Sequence, residues 1–333
     1  MRQRGWRDHP VGGRIAPQEE PHRPVDPQIQ AILDKVAALP PLHTLSVAEA
    51  RARMEQRPAE GLRIAPVAQV ADRVIARAGG SIPLRVYTPL GTGPFPMVVF
   101  YHGSGFVLCS LDSHDAMCRN LCGGSGAVVV SVDYRLAPEH KFPAGPDDCL
   151  FATRWIADHA AELGGDASRI VVAGDSAGGN LAAVTALRIR DEGGPKLAGQ
   201  LLLYPVTDYH APGTPSYAEN ADGYGLSRAG MAWFWHHYLA DPKDANHPHA
   251  SPLKAESLAG LPPALVYSAE YDPLRDEAEL YAVRLREAGV PVTTKRWAGV
   301  NHGFFFWVGI VDTAGTAMDA SCAWLKTIFG GNG

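Results

Sequence analysis

Ser176 sits in Gly174-Asp175-Ser176-Ala177-Gly178, inside the run VVAGDSAGGNLAAV of residues 171–184. Glycines two positions either side of a serine suit a sharp turn from a strand into a helix, where backbones pass closely and the serine is strained. The helix that follows directs its free N–H groups and its positive dipole end at the same point. A serine hydroxyl is a poor nucleophile until a base takes its proton and a third group orients that base. In a sheet built of strand–turn–helix units these partners follow in the order acid, then histidine. PALVYSAEYDPLRDE places Asp272 just beyond an apolar strand, and KRWAGVNHGFFFW places His302 just beyond the last one. Asp276 is the rival acid, but one turn into a helix it faces away, and Glu270 is still within the strand end. Together these residues would perform acyl transfer, with Ser176 attacking a carbonyl, His302 as base and Asp272 orienting it.

A tetrahedral intermediate also needs donors for its oxyanion. The Ala177 N–H, at the start of the helix, is one. The others are expected from the loop after the apolar run PMVVFY of residues 96–101, which is His102-Gly103-Ser104-Gly105. Ser104 is no nucleophile, since no elbow surrounds it and no helix start directly follows. Its simpler role is to offer a backbone N–H; in the sharper reading its hydroxyl is a further donor.

A lone G-x-S-x-G is a weak signal in a chain with 35 glycines, so the elements around it matter. Short apolar runs at 96–101, 127–132, 169–174, 199–206, 263–270 and 291–299 alternate with helical stretches near 112–122, 144–164, 177–192, 274–289 and 313–329. Continuous apolar strands between helices predict an α/β protein with a mostly parallel sheet covered on both faces. Before them, VAQVADRVIARAG and SIPLRVYTPL read as two strands joined at Gly79–Gly80. Two helices precede these, at 26–39 behind an Asp cap and at 46–54. The polar, Pro-, Gly- and Arg-rich residues 1–24 are expected to be a flexible extension. Residues 208–250 break the alternation and, with the N-terminal helices, suit a lid. The domain expectation is cap helices in 25–60, a catalytic domain from 61–207 and 251–330, and a cap insertion at 208–250.

Composition narrows the partners. A net charge of −5 over 333 residues leaves no basic footprint for nucleic acid. No apolar stretch is long enough to cross a bilayer, and the N-terminus has no apolar core to act as a secretory signal. Five cysteines without a regular framework read as reduced thiols in a cytoplasmic protein. No metal is expected: Cys118 and Cys122 are a turn apart without further ligands, and His236–His237 and His247/His249 lack accompanying carboxylates. These histidines, with His114 and His140, are expected to be solvated or packed.

YHGSGF, DYRLAPEHKFPA (133–144), GDSAGGNLA (174–182), YPVTD (204–208), WFWHHYL (233–239), EYDPLRDEAE (270–279) and NHGF (301–304) follow one another as in a known group. The chain resembles the hormone-sensitive-lipase-like family of α/β-hydrolases, carboxylesterases with an H-G-G-G loop and a G-D-S-A-G-G elbow. The resemblance spans about residues 25–330. It implies the α/β-hydrolase fold with a helical cap, Ser176, Asp272 and His302 as the triad, and an oxyanion hole of Gly103, Ser104 and Ala177 amides. It also implies no cofactor, a small ester as substrate, and homodimerisation through the last strand. The departure is Ser104, where the family has glycine. The substrate pocket is expected from Asp175, Phe106, Trp233 and Phe234, with only some of the 233–235 aromatics lining it.

The expected reaction is hydrolysis of short-acyl esters. Deacetylation or amide hydrolysis would use the same triad, so the sequence does not separate them. Relatives that became small-molecule receptors lost the triad histidine, whereas His302 is present here; dehalogenases and epoxide hydrolases use an Asp nucleophile where this chain has Ser176.

Overall fold

The computed structural model describes residues 23–56 and 60–330; residues 1–22 of the expected 1–24 extension lie outside the described residues. Valine-rich and aromatic runs form the centre of an eight-stranded sheet, because β-branched side chains pack well on a surface covered from both sides. The strands are β1 (Gln69–Arg77), β2 (Gly80–Thr88), β3 (Phe95–Tyr101), β4 (Val128–Val132), β5 (Gly165–Asp175), β6 (Leu197–Leu203), β7 (Ala264–Tyr271) and β8 (Val292–Asn301). Their spatial order is β1-β2-β4-β3-β5-β6-β7-β8. β1/β2 and β2/β4 pair antiparallel and every other pair is parallel, as strand–helix–strand crossovers require.

Helices cover both faces: α1 (Pro27–Ala37), α2 (Val47–Glu55), α3 (Asp115–Ser125), α4 (Ala144–Asp158), α5 (Ala177–Glu192), α6 (Pro215–Glu219), α7 (Arg228–Tyr238), α8 (Arg275–Glu287) and α9 (Asp312–Gly330). The pleat of β3 divides the core in two. Met97, Val99 and Tyr101 join the half that holds Leu150 of α4, Leu181 of α5 and Leu285 of α8. Val98 and Phe100 join the half that holds Ile29 of α1, Leu121 of α3 and Leu325 of α9. Each such buried side chain contributes about 1.5–3 kcal/mol, more than the few tenths separating helix propensities, so packing decides which face each helix covers.

β5 begins four residues before the expected run at 169, because Phe95 pairs with Gly165 across the ladder. Between β6 and β7, α6, α7 and short 3₁₀ turns replace any strand among the described residues. Ser227 caps α7 by accepting from the Gly230 N–H, and the helix packs on the turn at 42–44. α1 begins with Asp26 accepting from the Gln28 N–H, while the Asp26 N–H donates to the Gly299 carbonyl at the end of β8. Among the described residues, no helix is long and apolar enough to cross a membrane.

Candidate active site

β5 ends at Asp175 and α5 starts at Ala177, so Ser176 is the single residue that turns the chain. It takes φ 55° and ψ −118°, a conformation L-residues avoid and which costs of order 1–3 kcal/mol. Packing imposes it: the Ser176 N–H donates to the Leu203 carbonyl of β6, and its carbonyl accepts from Asn180 and Val206. The flanking glycines are steric necessities, because a Cβ on Gly178 would overlap the Tyr101 carbonyl and one on Gly174 would overlap the Gly178 backbone.

Two later strands deliver the partners. His302 follows β8, and its Nε2 lies 2.8 Å from Ser176 Oγ. Asp272 follows β7, and its Oδ2 lies 2.7 Å from His302 Nδ1. The other oxygen of Asp272 accepts from the Leu274 N–H at 2.8 Å, which fixes the carboxylate plane. Asp272 is fully buried and the His302 side chain is 11 % exposed, so only the base meets the open side. The Tyr204 ring packs edge-on against His302 at 4.8 Å. An ionised carboxylate can only accept, so Nδ1 of His302 carries a hydrogen and Nε2 is left to accept from the serine. Asp276 turns elsewhere, accepting from the Ser216 N–H and pairing with Arg275.

The loop after β3 differs in detail from expectation. Gly103, expected to present its N–H to the oxyanion, donates it at 2.9 Å to Oδ1 of Asp175. That amide therefore faces the carboxylate rather than the space beside Ser176 Oγ. Among the described residues, no backbone acceptor is found for the amides of Ser104 and Gly105. The Ala177 N–H, at the first position of α5, has no partner within its helix. Ser104, Gly105 and Phe106 take φ of 77°, 65° and 65°, so the chain coils tightly here. Ser104 does so despite its Cβ, at about 1–2 kcal/mol. Its Oγ accepts from the buried thiol of Cys109 at 2.9 Å.

The pocket residues fall into two groups. Phe234, from α7, lies against Gly105, where a Cβ would strike its ring, and Trp233 is half-buried with its ring edge on Phe234. Phe106 stacks on Tyr238 at 3.9 Å and 9°, and like Phe234 it is buried in the same half of the core. Asp175 is 1 % exposed and its carboxylate is engaged by Gly103 and His114. Trp235 packs among Phe106, Tyr209 and Tyr238.

His114, expected to be solvated or packed, is packed, and only its contact with Asp175 was unforeseen. It is fully buried at the N-terminus of α3, with Nε2 3.2 Å from Asp175 Oδ1. Burial pushes the Asp175 carboxyl up, but His114 beside it, with His102 and His302 adding, holds it below the ordinary aspartate value. Its helix start gave no signal, since the partner lies 61 positions along the chain. No cluster of three or more metal-ligating side chains occurs among the described residues.

A protein-family profile described as alpha/beta hydrolase fold matches residues 98–306. The esterase LipI of Mycobacterium tuberculosis is 42 % identical over 313 residues, covering 92 % of this chain and 96 % of that protein. Ethyl acetate hydrolase of Pseudomonas putida is 37 % identical, covering 87 % of this chain and 95 % of its own. Among solved structures, an ester hydrolase from the metagenome of Lake Arreo, complexed with a bipyridine phosphonate derivative, superposes with a TM-score of 0.88. Its identity is 41 %, covering 92 % of this chain and 99 % of its own.

Proposed function

The chain belongs to the α/β-hydrolase family, and on that footing we propose that it hydrolyses short-acyl carboxylic esters through an acyl-enzyme on Ser176. The observation that carries the reading is the unbroken chain Ser176 Oγ–His302–Asp272, with contacts of 2.8 and 2.7 Å. Ser176 Oγ attacks the ester carbonyl carbon as its proton passes to His302 Nε2. Asp272 stabilises the imidazolium that forms. The oxyanion is met by the amides of Ala177, Ser104 and Gly105, with Gly105 in place of the engaged Gly103. On collapse, His302 returns its proton to the departing alkoxide. Water then attacks the acyl-enzyme with His302 again as base, releasing the acid and restoring Ser176.

α1, α2 and residues 208–250 form a cap in this reading, supported by the approach of Phe234 to Gly105. A capped site is a finite pocket, so acyl chains of roughly two to six carbons should be preferred. A series of p-nitrophenyl esters from acetate to palmitate, with the matched acetanilide, tests this. The expected result is kcat/KM falling steeply beyond the short esters and a far slower anilide. Equal turnover of long-chain emulsions would overturn the pocket, and a faster anilide would move the protein to amide hydrolysis. Five buried cysteines, none joined in a disulfide among the described residues, favour a reducing, cytoplasmic setting, and β8, at the sheet edge, offers a ladder for a second copy of the chain.

We take Ser104 to act here through its amide: its Oγ accepts from the Cys109 thiol, and its hydroxyl hydrogen, still able to donate, is what Ser104→Gly tests. For Ser104→Gly, relief of positive φ is about 1–2 kcal/mol. Against it stand the freer unfolded chain, about 0.4–1 kcal/mol, and a lost hydrogen bond of about 0.5–1.5 kcal/mol. The terms nearly cancel, so the melting temperature should move little and kcat should stay within a few-fold. A fall of about 10²–10³ in kcat in a folded variant, the size expected for a lost oxyanion donor, would give the hydroxyl that role instead.

A further inference from the structure

The peptide unit joining His102 to Gly103 is gripped from both sides. Its carbonyl accepts from the Tyr134 hydroxyl at 2.8 Å, and its N–H donates to Asp175 Oδ1 at 2.9 Å. Tyr134 also stacks on the His102 ring at 4.6 Å. The fit leaves no slack: a Cβ on Gly103 would stand 2.5 Å from Asp175 Oδ2. Asp175 is itself held. His114 Nε2 lies 3.2 Å from Asp175 Oδ1, and since a carboxylate only accepts, that nitrogen carries a hydrogen. The Gly103 N–H is also 3.4 Å from Nε2, but a protonated nitrogen cannot accept, which leaves the carboxylate as its partner. Nδ1 of His114 is 2.9 Å from Ser113 Oγ, so the ring is fixed at both nitrogens. Tyr134, His114 and Asp175 are all buried, and none reaches the reacting atoms in the proposed reaction.

We propose that Tyr134, Asp175 and His114 are positioning residues that clamp the 102–103 peptide and thereby aim the next two amides, Ser104 and Gly105, at the oxyanion. The proposal rests on the ester-hydrolase reading. A glycine-rich loop samples many conformations, and donors stabilise a transition state only if they are aimed before it forms. Clamping one peptide plane removes that freedom at its source. Because Asp175 directly precedes Ser176, a single residue sets the loop's register against the nucleophile.

A clamp of this kind serves the transition state and not substrate binding, so it should appear in kcat with KM nearly unchanged. Tyr134→Phe, which deletes one oxygen, should lower kcat about 10-fold, part of the 10²–10³ for a lost donor. Asp175→Ala, which removes the oxygen that accepts from both Gly103 and His114, and His114→Leu should lower it about 10²-fold, while His114→Gln, which restores an N–H near the position of Nε2, should recover most of the loss. The affinity of a trifluoromethyl ketone, which forms a tetrahedral adduct on the serine, should fall in parallel with kcat/KM. Circular dichroism checks folding, and if His114→Leu does not fold, Tyr134→Phe decides. Wild-type ester hydrolysis together with folded Tyr134→Phe and Asp175→Ala variants within two-fold of its kcat would overturn the clamp. A wild-type protein that cleaves no ester would instead overturn the ester-hydrolase reading and the clamp with it.

Discussion

Replacing Ser176 by alanine is expected to lower kcat on a short-acyl ester by about 10⁶-fold, because nucleophile, base and orienting acid act as one unit. The geometry explains why so much depends on one oxygen. Ser176 Oγ is the only triad atom placed to bond the substrate carbon, and His302 Nε2, 2.8 Å away, has no other proton to accept at the start of the reaction. The change removes one buried oxygen and leaves the strained turn in place, since φ near 55° is imposed by the bonds to Leu203 and Val206. The variant should therefore fold and still bind ester. Residual hydrolysis above the water rate would come from the oxyanion donors. Mass spectrometry after treatment with an organophosphonate should find one label, on Ser176. A variant that keeps its activity, with the label on another residue, would sink the assignment.

Asp272→Asn is expected to cost about 10⁴-fold in kcat with the fold intact. The carboxamide has nearly the carboxylate's shape and can still accept from the Leu274 N–H, as Asp272 does at 2.8 Å. What it loses is the charge that stabilises the imidazolium. A side-chain NH₂ facing His302 would also place the hydrogen on the wrong ring nitrogen, so that Nε2 could not accept the serine proton. Asp276→Asn makes the sharper comparison. Asp276 is engaged by Ser216 and Arg275, so its loss should reduce stability more than rate. A fast Asp272→Asn enzyme beside an inactive but folded Asp276→Asn enzyme would transfer the orienting role.

The sequence by itself determined which three side chains, Ser176, Asp272 and His302, would meet, the strand and helix succession and the fold class. The physical reason is locality. A nucleophile elbow needs glycines at fixed offsets from its serine. Strands buried on both faces must be mostly apolar along their length, as β7 is, whose eight buried residues include only Ser268 and Glu270 as polar ones. The acid and the base must then stand where later strands end, and few carboxylates or histidines meet that condition. The tertiary structure alone decided how the loop after β3 is aimed. Whether Gly103 turns its N–H to the oxyanion or to Asp175 depends on a carboxylate 72 positions away, and that carboxylate is held by His114 on a different element. Likewise Phe106 stacks on Tyr238 because α7 docks against the loop, which no periodicity within either segment reveals. Even the oxygen of Ser104 was directed by Cys109, five residues on, only because consecutive left-handed residues coil the loop back on itself. Hydrogen bonds and ring contacts between distant segments follow from how whole elements pack, and local patterns of residue type carry little record of that.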